Sequence, residues 1–216
     1  MTKQIHIDFC SFSAEQKSVH DRKSLITQRK VQILQLRQKV LTRLMSRPIF
    51  AEEVVRTTFG KPYLKDDLSF HFNYSHSQQH FALASSFSMR DLGVDIEDLN
   101  RQVRFDALAQ HAFHPDEYRN WKALNEDQEY WFKVWTTKEA VLKASGLGIR
   151  INLNSLNTHV HADAIGGMCE HTQIGSFGYQ HYVVDNTMLT VAWRAAQSCR
   201  GFQFPQITLQ HHPVLD

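Results

Sequence analysis

Twice along this sequence the spacing of apolar residues changes from a helical period to a strand period, and that double switch limits the possible folds more than any composition figure. From about Ser24 to Ser46, Ile33, Leu36, Val40 and Leu44 recur on one helical stripe, with Pro48 just beyond its end. Upstream, IHIDFC predicts a strand and Ser13 a helix N-cap. From Phe70 onward the spacing shortens into FHFNYS, HFALASSF and LGVDIE, separated by the polar turns HSQQ and SMRD, which predicts an antiparallel meander. Residues 103 to 144 return to helical spacing, and HYVVDNTMLTVAW then predicts a hairpin with Asp185 and Asn186 near its turn. Helices and strands alternating in blocks predict an α+β fold of two similar halves, 1–100 and 101–216, each an antiparallel sheet with packed helices. The 216 residues suit that organisation, given about 150 residues per domain.

Composition removes several alternatives. With 42% hydrophobic and 21% charged residues, 9 Gly and 5 Pro, the chain is expected to fold rather than stay disordered. Its longest apolar runs fall well short of the roughly 20 residues that span a bilayer, and MTKQIHIDF has no signal-peptide core. A soluble cytoplasmic protein without a membrane partner is therefore expected. Cys10, Cys169 and Cys199 are odd in number and far apart, which excludes a disulfide framework and predicts small buried hydrophobes. His159-x-His161 and His211-His212 lack companion ligands and read as loop or tail residues.

The net charge of +2 conceals a basic run: residues 17 to 47 carry nine Lys and Arg, including Lys17, Arg22 and Lys23, against one acid, Asp21. Such a run is either a solvated helix face or a surface for phosphate or nucleic acid. Arg29 stands one turn before Ile33 on the edge of the apolar stripe. A cation there needs a buried or liganded partner, because an unpaired buried charge is costly.

The chemistry concentrates in two segments. In the strand 92–97, Leu92, Val94 and Ile96 face one way while Gly93, Asp95 and Glu97 face the other. Two carboxylates side by side repel unless cations or solvent offset them, which leaves open a solvated strand face or a hard divalent ion such as Mg²⁺. In WTTKEAVLK, Trp135, Glu139 and Lys143 share one helical face. They are either a surface Glu–Lys pair or a third metal carboxylate with a lysine reaching for phosphate. Gly146 and Gly148 close that helix.

Together these residues resemble a family. GVDIE at 93 to 97 and WTTKEAVLKASGLG at 135 to 148 look like the signature pair of the phosphopantetheinyl transferases, and FGKPYL at 59 to 64 and FNYSHS at 72 to 77 match upstream motifs in order and spacing. The likeness is to the longer, pseudo-duplicated Sfp-type branch. It implies Mg²⁺ (or Mn²⁺) on Asp95, Glu97 and Glu139, coenzyme A as donor, and Lys143 facing its pyrophosphate. By the same resemblance Lys61, Ser75 and His76 hold the nucleotide end, and Arg29 contacts the same phosphate. Glu117, in FHPDEY, falls on a short motif of the family, so it is either a base for the acceptor serine or an ordinary first-turn acid after Pro115. Glu139 is the rival base.

The implied reaction is attack by a carrier-protein serine on the β-phosphorus of coenzyme A, with adenosine 3',5'-bisphosphate leaving and no covalent enzyme intermediate. The implied partner is an apo acyl or peptidyl carrier protein of fatty-acid, polyketide or nonribosomal peptide synthesis. Arg101, Arg104, Arg119 and Lys122 are expected to face it, with Leu108 beside them and Trp121 in the core. The enzyme is expected to be a monomer that binds no nucleic acid. The alternative is a magnesium-dependent nuclease or phosphodiesterase served by the basic helix, and a third class is a nucleic-acid-binding module without catalysis.

Overall fold

The computed structural model describes residues 3–12, 22–148, 150–195 and 204–212. The predicted Ser13 cap, Lys17 and Cys199 lie outside the described residues, as do the side chains of Arg22 and Lys23. The strands are β1 (Gln4–Ser11), β2 (Val54–Arg56), β3 (Pro62–Leu64), β4 (His71–His76), β5 (His80–Ser86), β6 (Gly93–Asp98), β7 (Gly166–His171), β8 (Gly175–Val184), β9 (Thr187–Arg194) and β10 (Gln206–His212). The α-helices are α1 (Arg22–Met45), α2 (Phe105–Ala112), α3 (Pro115–Ala123) and α4 (Gln128–Ser145).

Two four-stranded sheets carry the architecture, one in the order β10-β1-β5-β4 and the other β6-β9-β8-β7. Only β1 and β10 pair in parallel within them. The sheets face each other through Ile5, Ile7, Phe9, Ala82 and Ala84 on one side and Val94, Ile96, Leu189, Val191 and Trp193 on the other. The apolar stripe of α1, Ile33, Leu36 and Val40, covers the outer face of the first sheet against Cys10, Phe72, Phe81 and Leu83. Helix α4 covers the second sheet with Trp131, Phe132, Val141 and Ala144 packed against Phe177, Tyr179 and Ala192. The layers therefore run helix, sheet, sheet, helix, an α+β arrangement as expected. Among the described residues no helix is long and apolar enough to cross a membrane.

Two expectations are corrected. The segments 70–75, 80–87 and 92–97 do not form one meander: β4 and β5 pair, but β6 leaves them and pairs with β9. Alternation fixes which residues share a face and is silent on which strand lies alongside. Strand β6 thus belongs to the second sheet, and β10 returns to the first. His211 and His212 are strand residues rather than a tail: His212 Nε2 lies 2.7 Å from Asp8 Oδ1, and His211 Nε2 lies 3.0 Å from Asp185 Oδ2. The β8–β9 hairpin forms as expected, with Asp185 and Asn186 at φ 46° and 58°, the left-handed pair that a two-residue turn requires and that Asp and Asn tolerate.

Candidate functional site

Gly93 determines how the site is assembled. A Cβ built there would lie 2.1 Å from the Ala140 carbonyl oxygen and 2.4 Å from the Ala144 nitrogen, so the backbone of α4 rests directly on β6. Only glycine allows that approach. Because side chains alternate along the strand, Asp95 and Glu97 share the face of Gly93 and are directed toward α4, which brings Glu139 and Lys143 to them. Asp127 caps the start of α4 through Tyr130 N at 2.7 Å, and Gly146 ends it with φ 72°.

Asp95 is buried. Its Oδ1 accepts hydrogen bonds from Ser75 Oγ at 2.8 Å and Lys143 Nζ at 2.6 Å, while its Oδ2 is buried with no hydrogen-bond partner among the described residues. Lys143 Nζ also donates to Ser75 Oγ and the Val94 carbonyl. Glu97 is paired with Arg101 through both carboxylate oxygens at 2.6 Å. Burial raises the Glu97 pKa above its ordinary value; Arg101 opposes that rise and Asp95 adds to it. Burial raises Glu139 too, reinforced by Asp95 and Glu97 and opposed by Lys143. Three carboxylates thus sense one another's charge, with Lys143 paired to Asp95 and Arg101 to Glu97.

Among the described residues no three His, Cys, Asp or Glu side chains already enclose a metal-sized space. The donor set nevertheless fits a hard divalent ion: oxygen ligands only, mutual repulsion that a cation relieves, and in Asp95 Oδ2 a buried acceptor lacking a donor.

Beside this cluster is a cavity of about 210 Å³ lined by Arg56, Lys61, Tyr74, Glu139, Lys143 and Gly146, among others. It is smaller than the roughly 300 Å³ at which pockets begin to enclose a drug-sized ligand, so it suits one charged portion of a larger molecule. Lys61 Nζ donates to the Ala144 carbonyl at 2.5 Å and lies 3.8 Å from Asp91. Burial pushes its pKa down to about 8 despite the pull of Asp91. Lys61 therefore both caps the C-terminus of α4 and faces the cavity.

The other expected residues are distributed differently. Ser75 is directed at Asp95, not outward to a nucleotide. His76 is exposed, with Nδ1 3.4 Å from the Ser77 carbonyl. Arg29 stacks its guanidinium 3.9 Å above the Phe12 ring. Sequence reasoning missed Arg37 and Arg56. The Tyr74 hydroxyl accepts from Arg56 at 2.7 Å and from Arg37 at 3.5 Å, and Arg37 is buried with no partner for its Nε among the described residues. The signal was present: Arg37 lies one turn after Ile33 on the stripe that singled out Arg29 one turn before it.

Glu117, the other candidate base, is enclosed within the protein. It is 1% exposed, and its carboxylate accepts from His114 N at 2.8 Å and from Thr158 N at 2.7 Å, bonds to Thr158 Oγ1, and pairs with Lys138 Nζ at 2.8 Å. Lys138 in turn donates to the Leu153 and Leu156 carbonyls. A carboxylate so enclosed fastens α3 and α4 to the 153–158 segment and has no access to an acceptor hydroxyl. Trp121 is core, as expected, and Arg104 and Arg119 are exposed. Buried Cys10 and Cys169 have thiols pushed up to about 12, chiefly by burial, which suits inert packing.

Clustered carboxylates, a lysine among them and a neighbouring cavity lined by cations have the chemistry to hold a divalent ion against phosphoryl oxygens. Residues 91–192, which contain Asp95, Glu97, Glu139 and Lys143, match the sequence model of the 4'-phosphopantetheinyl transferase superfamily. The chain is 40% identical over 95 residues to the 4'-phosphopantetheinyl transferase HetI of a Nostoc species, covering 42% of this chain and 40% of that one. To the 4'-phosphopantetheinyl transferase Sfp of Bacillus subtilis it is 31% identical over 107 residues, 49% of this chain and 46% of that one. To the 4'-phosphopantetheinyl transferase AcpT of Escherichia coli it is 29% identical over 120 residues, 55% and 60%. The matched stretch thus spans about half the length of these curated relatives, and their names lend no support to the nuclease alternative.

Proposed function

We propose that the protein transfers the phosphopantetheine group of coenzyme A to a serine of an apo acyl or peptidyl carrier protein, releasing adenosine 3',5'-bisphosphate. The observation that carries the reading is the convergence of Asp95, Glu97, Glu139 and Lys143 beside the cavity that Arg56 and Lys61 line. Asp95, Glu97 and Glu139 would hold Mg²⁺, or Mn²⁺ in its place. Bound there, the ion supplies charge for the pyrophosphate and for the bridging oxygen that becomes the leaving group.

The chain's own groups then divide the work. Ser75 orients Asp95, and Lys143, on the same oxygen, is positioned to reach a phosphoryl oxygen at the cavity wall. Lys61, Arg56 and, nearer the surface, His76 and Arg29 serve the nucleotide phosphates. Glu139 takes the serine proton: it lines the cavity, and burial beside two acids gives it the higher proton affinity that a base at neutral pH needs. The protein acts in this reading as a cytoplasmic monomer on soluble partners, with no nucleic acid or membrane involved.

The test is incubation with coenzyme A, Mg²⁺ and a panel of apo-carriers, read by intact mass. The expected result is the gain of one phosphopantetheine group, stopped by EDTA and absent with Asp95→Ala. Full transfer by a folded Asp95→Ala protein would refute the carboxylate site.

A further inference from the structure

Arg101 lies in the turn after β6, and its backbone nitrogen donates to the Asp98 carbonyl at 3.0 Å. Asp98 itself is fixed by hydrogen bonds from Ser77 Oγ, Gln78 N and Gln79 N and by His80 Nδ1 at 2.9 Å. The backbone under Arg101 is therefore held, while its side chain is 41% exposed and free to rotate into solvent. That guanidinium places one nitrogen, Nη1, 2.6 Å from both oxygens of Glu97, whose side chain is only 14% exposed.

This pairing differs from that of Lys143 with Asp95. Lys143 issues from α4 inside the site and is tied to Ser75 and Val94 as well; it leaves Asp95 Oδ2 without a partner. Arg101 approaches from outside the cluster and engages both Glu97 oxygens with one donor, so a second cation would have to share each oxygen with the guanidinium. A divalent ion and a guanidinium on the same carboxylate also repel.

We infer that Arg101 is a positioning residue that competes with the metal for Glu97, its guanidinium being the counter-ion that must swing away before the carboxylate can serve a divalent cation. This rests on the proposed metal site and extends it: Arg101 sets the metal affinity without being a ligand. A carboxylate on a docking partner that pairs with Arg101 frees Glu97 in the same way, which links partner docking to metal affinity.

The opposite role is physically reasonable, since outer partners of ligating carboxylates often strengthen a site, and the sign of the effect separates the two. The experiment is Mn²⁺ titration of the full chain at fixed pH and salt, with free Mn²⁺ read by electron paramagnetic resonance. Arg101→Gln should bind Mn²⁺ about fivefold more tightly than the wild type, the scale of a half-exposed ion pair. Arg101→Lys, which keeps the charge, should stay within about twofold of wild type on the same scale. Unchanged or weaker binding by Arg101→Gln overturns the inference, as does Arg101→Lys binding as tightly as Arg101→Gln. Asp95→Asn is the control for the underlying site. If it binds Mn²⁺ as the wild type does, the metal site fails and this inference with it; if it loses Mn²⁺ while Arg101→Gln gains nothing, only the role of Arg101 fails.

Discussion

Replacing Gly93 with alanine tests the assembly of the site most directly. The added methyl would stand 2.1 Å from the Ala140 oxygen and 2.4 Å from the Ala144 nitrogen. Both are backbone atoms of α4, so no side-chain rotation relieves the clash and the helix must move. Restoring ordinary contact requires a displacement of about 1 Å, and forced methylene-sized insertions into packed interiors cost about 1–3 kcal/mol. The functional penalty should be larger in proportion. Glu139 and Lys143 travel with α4 while Asp95 and Glu97 stay on β6, and a misplacement of about 1 Å in a reacting constellation costs on the order of 100-fold in rate. Urea unfolding gives the first quantity and initial transfer rates at saturating coenzyme A and Mg²⁺ give the second. A Gly93→Ala protein within about 0.5 kcal/mol of wild type, the range of changes that disturb nothing specific, and equally active, would refute the claim that α4 rests on β6 at this glycine.

Two further outcomes follow from buried charge. Glu117→Ala should destabilise the protein by about 3–5 kcal/mol because it strands the Lys138 ammonium in the core, whereas Glu117→Gln with Lys138→Met should recover much of that stability in a urea titration; equal loss in both would show that the pair itself is not the cause. Glu139 has a pKa raised by burial, Asp95 and Glu97, so the stability tied to its protonated form is present at low pH and is lost as pH rises through the raised value. In EDTA, Glu139→Gln should therefore exceed the wild type in Tm by more at pH 8 than at pH 4, and a pH-independent difference in thermal scans would contradict the electrostatic account.

How much of this was legible in the sequence depended on whether the deciding interaction was local. Helix α1, the Asp185–Asn186 turn and the common face of Trp135, Glu139 and Lys143 follow from spacing and turn chemistry, and all are present. The face shared by Gly93, Asp95 and Glu97 was equally readable, but the reason for Gly93 was not, because the atoms it accommodates lie nearly fifty residues away. Asp98, the next residue after Glu97, is decided by distant partners too. It is 4% exposed; burial alone would raise its pKa, but hydrogen bonds from His80 and Ser77 outweigh that and hold its carboxyl below the usual range. Glu117 shows the limit most clearly. Its position after Pro115 correctly indicated a helix start, and the capping bond to His114 N exists, but neither Lys138 nor Thr158, its other partners, is near it in sequence.

The placement of the site follows from the way the two sheets trade strands. Asp95, Glu97, Glu139 and Lys143 come from β6 and α4, while Ser75, Tyr74 and Lys61 come from β4 and the segment before it. Val94 N donates to Asn73 Oδ1 at 3.2 Å across the join, so β4 at the edge of one sheet lies against β6 at the edge of the other. Asp98 secures the far end of this seam, gathering the 77–80 turn of the first sheet, while Thr187 of β9 lies 2.8 Å from His80 and 3.3 Å from the same carboxylate. The two cores that α1 and α4 cover could each form around its own sheet, but the carboxylate cluster could not: Asp95 needs Ser75 from one sheet and Lys143 from the helix on the other. The mutual repulsion of three neighbouring carboxylates is opposed there by the whole inter-sheet core rather than by one helix.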